Sequence, residues 1–422
     1  MLLTIALIVK NEIKHIQKCM DALSELRKLM DFQLIITDTG SDDGTDTVAE
    51  KYADVFQRFE WCDDFSAARN ESFKAAKGKW YMFLDADEYL CEPEKLADFF
   101  NSGEYKKYRS AAYIQRNYYS QEGGGYADAY ISRMTRIFPE TRFKGRVHEG
   151  LYPIYEPVKM LGFHVDHYGY VRENGVNEEK SRRNLKLLML EYGAGNITDT
   201  LITQIADGYM NLGEFRQCIE FCTENGGKAG GIYRYILLAR RVTAHILLKE
   251  YDEALKTAEE YSDGHEEQGL DLEIYYNKGV CLYSTGRHRE CAEAFAAYAQ
   301  LYERLNRDRE RYAATEYEQL YADRASLARA ADMAYEAACS EYASGERGYM
   351  RLYDCMKAAA QVSSLLGEGQ AMAAAYYIYA YSCAVNKSRD FVQALRMFAA
   401  SAPQFAAEAK ELLGFAKSVM GQ

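Results

Sequence analysis

Trp80-Tyr81-Met82-Phe83-Leu84-Asp85-Ala86-Asp87 is the stretch on which the reading of this chain turns. An uninterrupted apolar run of this length reads as a strand buried on both faces, as in a parallel sheet covered by helices. Two carboxylates, Asp85 and Asp87, then emerge where the strand stops. Ligands of open α/β sheets bind at the carboxyl ends of the strands. Hard oxygen donors placed there suit a divalent cation that keeps several waters and shares a diphosphate.

The same grammar extends to both sides of that run. Residues 2–9 read as a first strand, 12–29 as a helix, 33–37 as a strand, 44–52 as a helix and Ser66 to Ala76 as a further helix. Strands alternating with helical patterns imply βαβ units and a mostly parallel sheet. The apolar opening Met1 to Val9 lacks a basic leader and a small-residue cleavage site, so it reads as a strand and not as a signal peptide.

From about residue 178 the pattern changes to successive helices rich in Ala, Tyr, Leu and Glu. Phe215, Tyr251 and His288 occupy matching places after a turn, about 36 residues apart, and Lys387 to Ala394 repeats the pattern. That spacing is near the ~34-residue period of tetratricopeptide (TPR) hairpins, which bury their apolar faces by stacking on neighbours. A generic helical bundle is the alternative, and between 300 and 360 no clean register is found. The expected fold class is therefore α/β followed by all-α, with domains at 1–177 and 178–422.

At 422 residues the chain is long enough for two domains or more. Its net charge of −12 argues against a nucleic-acid partner, since nothing neutralises phosphates in bulk. No segment is long and apolar enough to span a bilayer. The ten cysteines follow no metal-finger spacing and read as free thiols of a reducing compartment, so a cytoplasmic location is expected.

Asn11 and Glu12 follow the first strand and Asp38 ends the second, all on the rim that carries Asp85. Asp38 can accept a hydrogen bond from a base such as uracil, and Asn11 and Glu12 can meet the base or ribose. Ser41-Asp42-Asp43 also resembles a helix N-cap. Arg133 and Arg136 could offer bidentate contacts to a diphosphate or an acidic acceptor. Gly123-Gly124-Gly125 reads as a lid segment or a plain turn, and Glu178 to Arg183 as a solvated helix face.

Four blocks, Ile8-Val9-Lys10-Asn11-Glu12, Asp38 to Thr45, Trp61 to Glu71 and Phe83 to Glu88, together resemble family 2 glycosyltransferases of the GT-A fold. The layout is similar to a bacterial branch that adds TPR-like repeats, to which sublancin-type S-glycosyltransferases belong. The resemblance covers residues 1–190 closely and the rest in architecture only. It implies that Glu12 and Asp38 hold uridine, that Arg69 and Asn70 lie beside the nucleotide, and that Asp85 and Asp87 serve Mn2+ or Mg2+ and the diphosphate. Arg69 could alternatively be an ordinary surface ion pair, but its place in an Ala-Ala-Arg-Asn helix entry favours the phosphate or nucleotide role. Gly145-Arg146-Val147-His148-Glu149 matches a segment on the acceptor side, with Glu149 the candidate base and His148 the runner-up. A hydrogen-bonded loop pair is the bland alternative for those two. His167 resembles a histidine that reaches the metal or diphosphate, or else it is a satisfied core residue.

The implied activity is transfer of one sugar, with inversion, from a nucleotide sugar (a UDP-sugar first) to a peptide, protein or glycan acceptor. Alternatives are a cell-envelope or lipid-linked saccharide acceptor, or a non-catalytic TPR scaffold with a degenerate transferase domain. A homodimer through the helical repeats is a further expectation. The processive-synthase Gln/Arg-x-x-Arg-Trp signature and a Gly-x-Gly-x-x-Gly fingerprint are both absent, which points to single transfer and away from dinucleotide chemistry.

Overall fold

A computed structural model describes residues 1–118, 125–169, 176–264, 269–307, 324–343 and 389–401, with 409–410, 413–414 and 416–417. The chain divides into two compact units, Met1–Ile197 and Thr198–Gln422.

The first unit is built on β1 (Leu3–Val9), β2 (Phe32–Asp38), β3 (Val55–Arg58) and β4 (Trp80–Leu84). It continues through β5 (Glu88–Leu90), β6 (Ser110–Tyr118), β7 (Tyr126–Arg136) and β10 (Val158–His167). These eight strands form one sheet in the order β3-β2-β1-β4-β7-β6-β10-β5. β1 runs parallel to β2 and β4, and β2 parallel to β3, which gives the expected parallel half. The other half is mixed, because β7 returns antiparallel to both β6 and β4, and β5 is antiparallel to β10.

Alternation along β4 splits its side chains between two cores. Trp80, Met82 and Leu84 pack under helices α1 (Ile16–Arg27) and α4 (Pro93–Asn101), and Trp80 meets Phe99 and Phe100 edge-on. Tyr81 and Phe83 face Phe143 on the opposite side. Phe143 belongs to a small antiparallel hairpin, β8 (Arg142–Lys144) with β9 (Gly150–Tyr152), lying near α3 (Phe65–Lys74). A short α2 (Thr45–Glu50) follows β2, and α5 (Val176–Gly193) closes the unit. Gly78 is required just before β4, since a Cβ there would fall 2.5 Å from the Thr4 amide nitrogen of β1.

The second unit is helical. Three hairpins follow one another: α6 (Asp199–Asn211) with α7 (Phe215–Asn225), α8 (Gly231–Leu247) with α9 (Tyr251–Ala258), and α10 (Leu270–Ser284) with α11 (His288–Arg307). Helices α12 (Arg324–Ala343) and α13 (Phe391–Ser401) are also described. Phe215, Tyr251 and His288, matched by position in the sequence, each open the second helix of a hairpin. Phe391 opens α13, while Lys387 and Ser388 lie outside the described residues. Among the described residues no helix is long and apolar enough to cross a membrane.

The three inter-helix turns share one hydrogen-bond pattern. The amides of Glu214, Glu250 and Arg287 each reach back five residues, to the carbonyls of Tyr209, His245 and Leu282. This Schellman geometry needs a left-handed residue just before the reaching amide. Gly213 (φ +71°) and Gly286 (φ +72°) supply it at no steric cost, but Lys249 holds φ +61° with a full side chain. Lys249→Gly is therefore expected to stabilise the helical unit by about 1 kcal/mol, read as a raised urea midpoint. Gly213→Ala should lower the midpoint by a similar margin. Equal midpoints for parent and K249G would show that the lysine carries no strain.

Candidate functional site

Parallel pairing brings three strand ends to one rim. Val9 lies beside Asp38, and Leu7 beside Leu84, so Asn11 and Glu12, Asp38 to Ser41, and Asp85 to Asp87 all leave the sheet at the same edge. The loops there are tied to one another. The Asn11 side-chain oxygen accepts from the Asp42 amide at 2.9 Å, the Asn11 amide donates to Ser41 Oγ at 3.0 Å, and the Glu12 amide donates to Thr45 Oγ1 at 2.8 Å. Asp43 accepts from the Thr45 amide and hydroxyl in a turn just before α2, but the N-cap itself is Gly44, which has no side chain to cap with, so the capping role expected of Ser41-Asp42-Asp43 is not taken.

Asp38 turns inward. It is buried, and its carboxylate accepts from the amides of Gly40 and Ser41, so it shapes its own turn instead of presenting free oxygens. Asn70 likewise spends both ends of its amide on the backbone of Phe143, at 3.0 and 2.8 Å. It clasps α3 to β8, which places it as a fastener of the hairpin carrying Glu149.

The centre of the rim is a chain of charges. Arg69, on α3, is buried and reaches two acids at once: Nη2 donates to Asp85 Oδ1 at 2.6 Å and Nε to Glu149 Oε1 at 2.5 Å. Its guanidinium lies over Phe83, 4.7 Å from the ring centre. Arg133 Nη1 donates to the other Asp85 oxygen at 3.0 Å and to Glu88 Oε2 at 2.8 Å. A slip in the β6–β7 ladder places Arg133 there, since Met134 faces Ala111 and Ser132 faces Ala112, leaving Arg133 as the extra residue. Bulges re-aim side chains in this way beside functional sites.

The two arginines decide the protonation of the acids. Burial alone would raise the Asp85 carboxyl, but Arg133 and Arg69 together outweigh it and hold the group far below its ordinary range. Glu88 is fully enclosed, and burial pushes it up to about 7 despite Arg133, with Asp85 adding to the rise. Gln115 donates to its second oxygen. Glu12 is also raised to about 7, first by burial and then by Asp87 and Asp85. Lys180 of α5 opposes that rise, and Arg183 lies within the field of Glu12 and Glu149. The stretch from Glu178 to Arg183 is exposed apart from the half-buried Ser181, as expected of a solvated face, and the charges of Lys180 and Arg183 act on Glu12 and Glu149 through their field.

Asp87 stands apart from the arginines. Its Oδ2 lies 3.7 Å from His167 Nε2, and the other ring nitrogen of His167 contacts Asn117 Oδ1 at 2.7 Å. Gly169 borders the pair: a Cβ on it would fall 2.5 Å from His167 Nε2 and 2.7 Å from Asp87 Oδ2. A carboxylate oxygen and a ring nitrogen facing one space, kept clear by a missing side chain, fit a divalent cation that takes its remaining ligands from water and substrate. Both Asp85 oxygens are engaged by arginines, one by Arg69 and the other by Arg133.

Glu149 and His148 lie in the β8–β9 turn, with Glu149 nearly buried and His148 exposed in a left-handed conformation at φ +53°. Arg136 is not brought to this rim. It pairs with Trp80 at the amino end of β4, the end opposite Asp85, and its guanidinium lies 5.8 Å from the Phe138 ring. Gly123 and Gly124 lie outside the described residues. Glu88, Gln115 and Asn117 were not picked out from sequence. Their signal is weak, because a buried carboxylate at the start of a three-residue strand resembles any turn acid.

Residues 4–161 match the model of glycosyl transferase family 2, which bears out the resemblance read from the four sequence blocks. The chain is 30% identical over 197 residues to the SPbeta prophage-derived glycosyltransferase SunS of Bacillus subtilis, a match covering 44% of each chain. It is 31% identical over 158 residues to a TPR repeat-containing protein of Synechococcus elongatus, covering 35% of this chain and 34% of that one. The matches therefore span less than half the length of these relatives. Among solved structures, S. aureus TarS is similar at 14% identity and a TM-score of 0.35, over 63% of this chain and 56% of that one.

Proposed function

We propose, with the family 2 match over residues 4–161 as premise, that this chain transfers a single sugar from a nucleotide sugar, a UDP-sugar first, to a discrete acceptor. The observation that carries this reading is the pairing of two separate devices on one sheet rim: the Asp87–His167 pair bordered by Gly169, and Glu149 held by Arg69.

In this reading Glu149 takes the proton of the acceptor nucleophile as that atom attacks the anomeric carbon. A single displacement inverts the configuration at that carbon. Arg69 occupies Glu149 Oε1 and so fixes the direction of the carboxylate, leaving the other oxygen for the acceptor. Lys180 and Arg183 add positive charge where a diphosphate would lie. Asp87 and His167 would hold Mn2+ or Mg2+, which when bound would offset charge on the departing diphosphate. Asn11, Glu12 and the Asp38 turn form the floor for the nucleoside. The helical unit would present a peptide, protein or glycan, and pairing of two chains through it belongs to the same proposal. SunS and the TPR repeat-containing relative favour a transferase joined to helical repeats over a bare scaffold.

The test is UDP binding by calorimetry with and without Mn2+. Asp87→Asn and Gly169→Ala should each weaken Mn2+-dependent UDP binding by about tenfold or more, with metal-free binding little changed. The glycine variant acts only by filling the space between Asp87 and His167. Full Mn2+ dependence in both variants would remove the cation from this position.

A further inference from the structure

A second cluster of ligand atoms sits on the other face of strand β10. His164 and Asp166 are two apart on that strand and share a side, while Val165 and His167 point the opposite way. Antiparallel pairing sets Leu90 opposite Val165, and the Cys91 amide donates to the His164 carbonyl at 3.1 Å. Cys91 therefore lies directly beside His164. One atom from each of Cys91, His164 and Asp166 falls within 4.8 Å of the others.

Two details point to a ligand. Asp166 Oδ1 is sealed from solvent and has no hydrogen-bond donor of its own, although the carboxylate as a whole is hydrogen-bonded by the side chains of Cys91 and Tyr118. It lies 3.5 Å from His164 Nε2. The other ring nitrogen, His164 Nδ1, contacts Glu92 Oε2 at 3.2 Å. A carboxylate on the far nitrogen of a histidine is the usual support of a metal-bound imidazole, fixing its tautomer and its direction.

We propose that Cys91, His164 and Asp166 bind a borderline-soft divalent ion of the zinc class, with Glu92 orienting His164. Sulfur, nitrogen and oxygen donors together select such an ion over Mg2+. Tetrahedral bonds of about 2.0–2.3 Å put ligand atoms roughly 3.3–3.8 Å apart, so the cluster needs only a small closure. The ion would fasten β5, the edge strand of the sheet, to β10. It would not belong to the Asp87–His167 pair, which lies on the opposite face.

The full-length protein, stripped by chelator, is titrated with Co2+ and followed for a thiolate-to-cobalt charge-transfer band. The expected result is one equivalent with that band, displaced by Zn2+. Cys91→Ser should abolish the band, and Asp166→Asn should weaken Co2+ binding by roughly tenfold or more. Cys62→Ser, which changes an exposed thiol, should keep the band. Asp87→Asn should keep it as well, separating this site from the proposed donor pocket. Added Zn2+ should raise the melting temperature of the parent and not that of C91S, which guards against a variant that merely folds poorly. No band in the parent, or a band that survives in C91S, overturns the proposal.

Discussion

Glu149→Gln is expected to lower the rate of sugar transfer by about 10²–10⁴-fold, while UDP binds the variant as it binds the parent. Glutamine keeps the shape of the side chain and can still place an oxygen against Arg69 Nε. What it loses is the ability to accept a proton from the attacking nucleophile. Single-turnover transfer separates the two contributions: a base acts on the chemical step and leaves donor affinity alone. His148→Gln provides the comparison, since His148 is exposed in the same turn. A Glu149 variant that turns over within tenfold of the parent, or one whose donor affinity falls as far as its rate, would remove Glu149 from the role of base.

Arg69→Met carries the second large effect, on stability and activity together. The guanidinium is buried, and its loss strips one partner from Asp85 and the ion-pair partner from Glu149. Removing one member of a buried ion pair costs about 3–5 kcal/mol, because the remaining charge is left in a poor medium. Asp85 is one-third exposed and keeps Arg133, so the lower end of that range applies. Methionine retains the apolar contact with Phe83 and Phe143 and isolates the charge as the cause. The double variant Arg69→Met with Glu149→Gln should recover part of the loss, since no unpaired carboxylate then remains in the turn. Strict additivity of the two single changes in urea unfolding would show that Arg69 and Glu149 are not coupled.

How much of this was visible in the chain depends on the length of the signal. Strands β1, β2 and β4 are uninterrupted Val, Ile, Leu and aromatic runs, and parallel pairing then forces their ends onto one rim. Glu12, Asp85 and Asp87 follow from that alone. The mixed half was not legible, because β6, β7 and β10 are interspersed with polar and charged residues instead of running apolar, and β5 is only three residues long. Arg133 and Arg136 looked alike as neighbours in sequence. A ladder slip that no local pattern announces turns one toward Asp85, and pairing with Trp80 takes the other to the far end of β4. Asp38, at a strand end, suits a hydrogen bond to a base, and the family resemblance puts Asn70 beside the nucleotide. Their partners are backbone groups, in the case of Asn70 on a hairpin more than seventy residues away. The helical hairpins were legible through their turns, where Gly213 and Gly286 mark the required backbone shape, although Lys249 at the intervening turn does not.

The recurrence of that turn bears on how the second unit tolerates changes of length. Residues 215 to 250 run from the start of one second helix to the residue before the next, so excising them joins Glu214 to Tyr251 across a junction of the same form. Each additional residue removed would swing the downstream helix by about 100° around its own axis. Deletions that join one such turn to the next, 36 residues for 215–250 and 37 for 251–287, therefore keep every remaining apolar stripe aimed inward, and those of intermediate size turn it toward water. Evolution can count in whole modules here, and natural variants of this unit should differ by whole turn-to-turn modules of 36 or 37 residues.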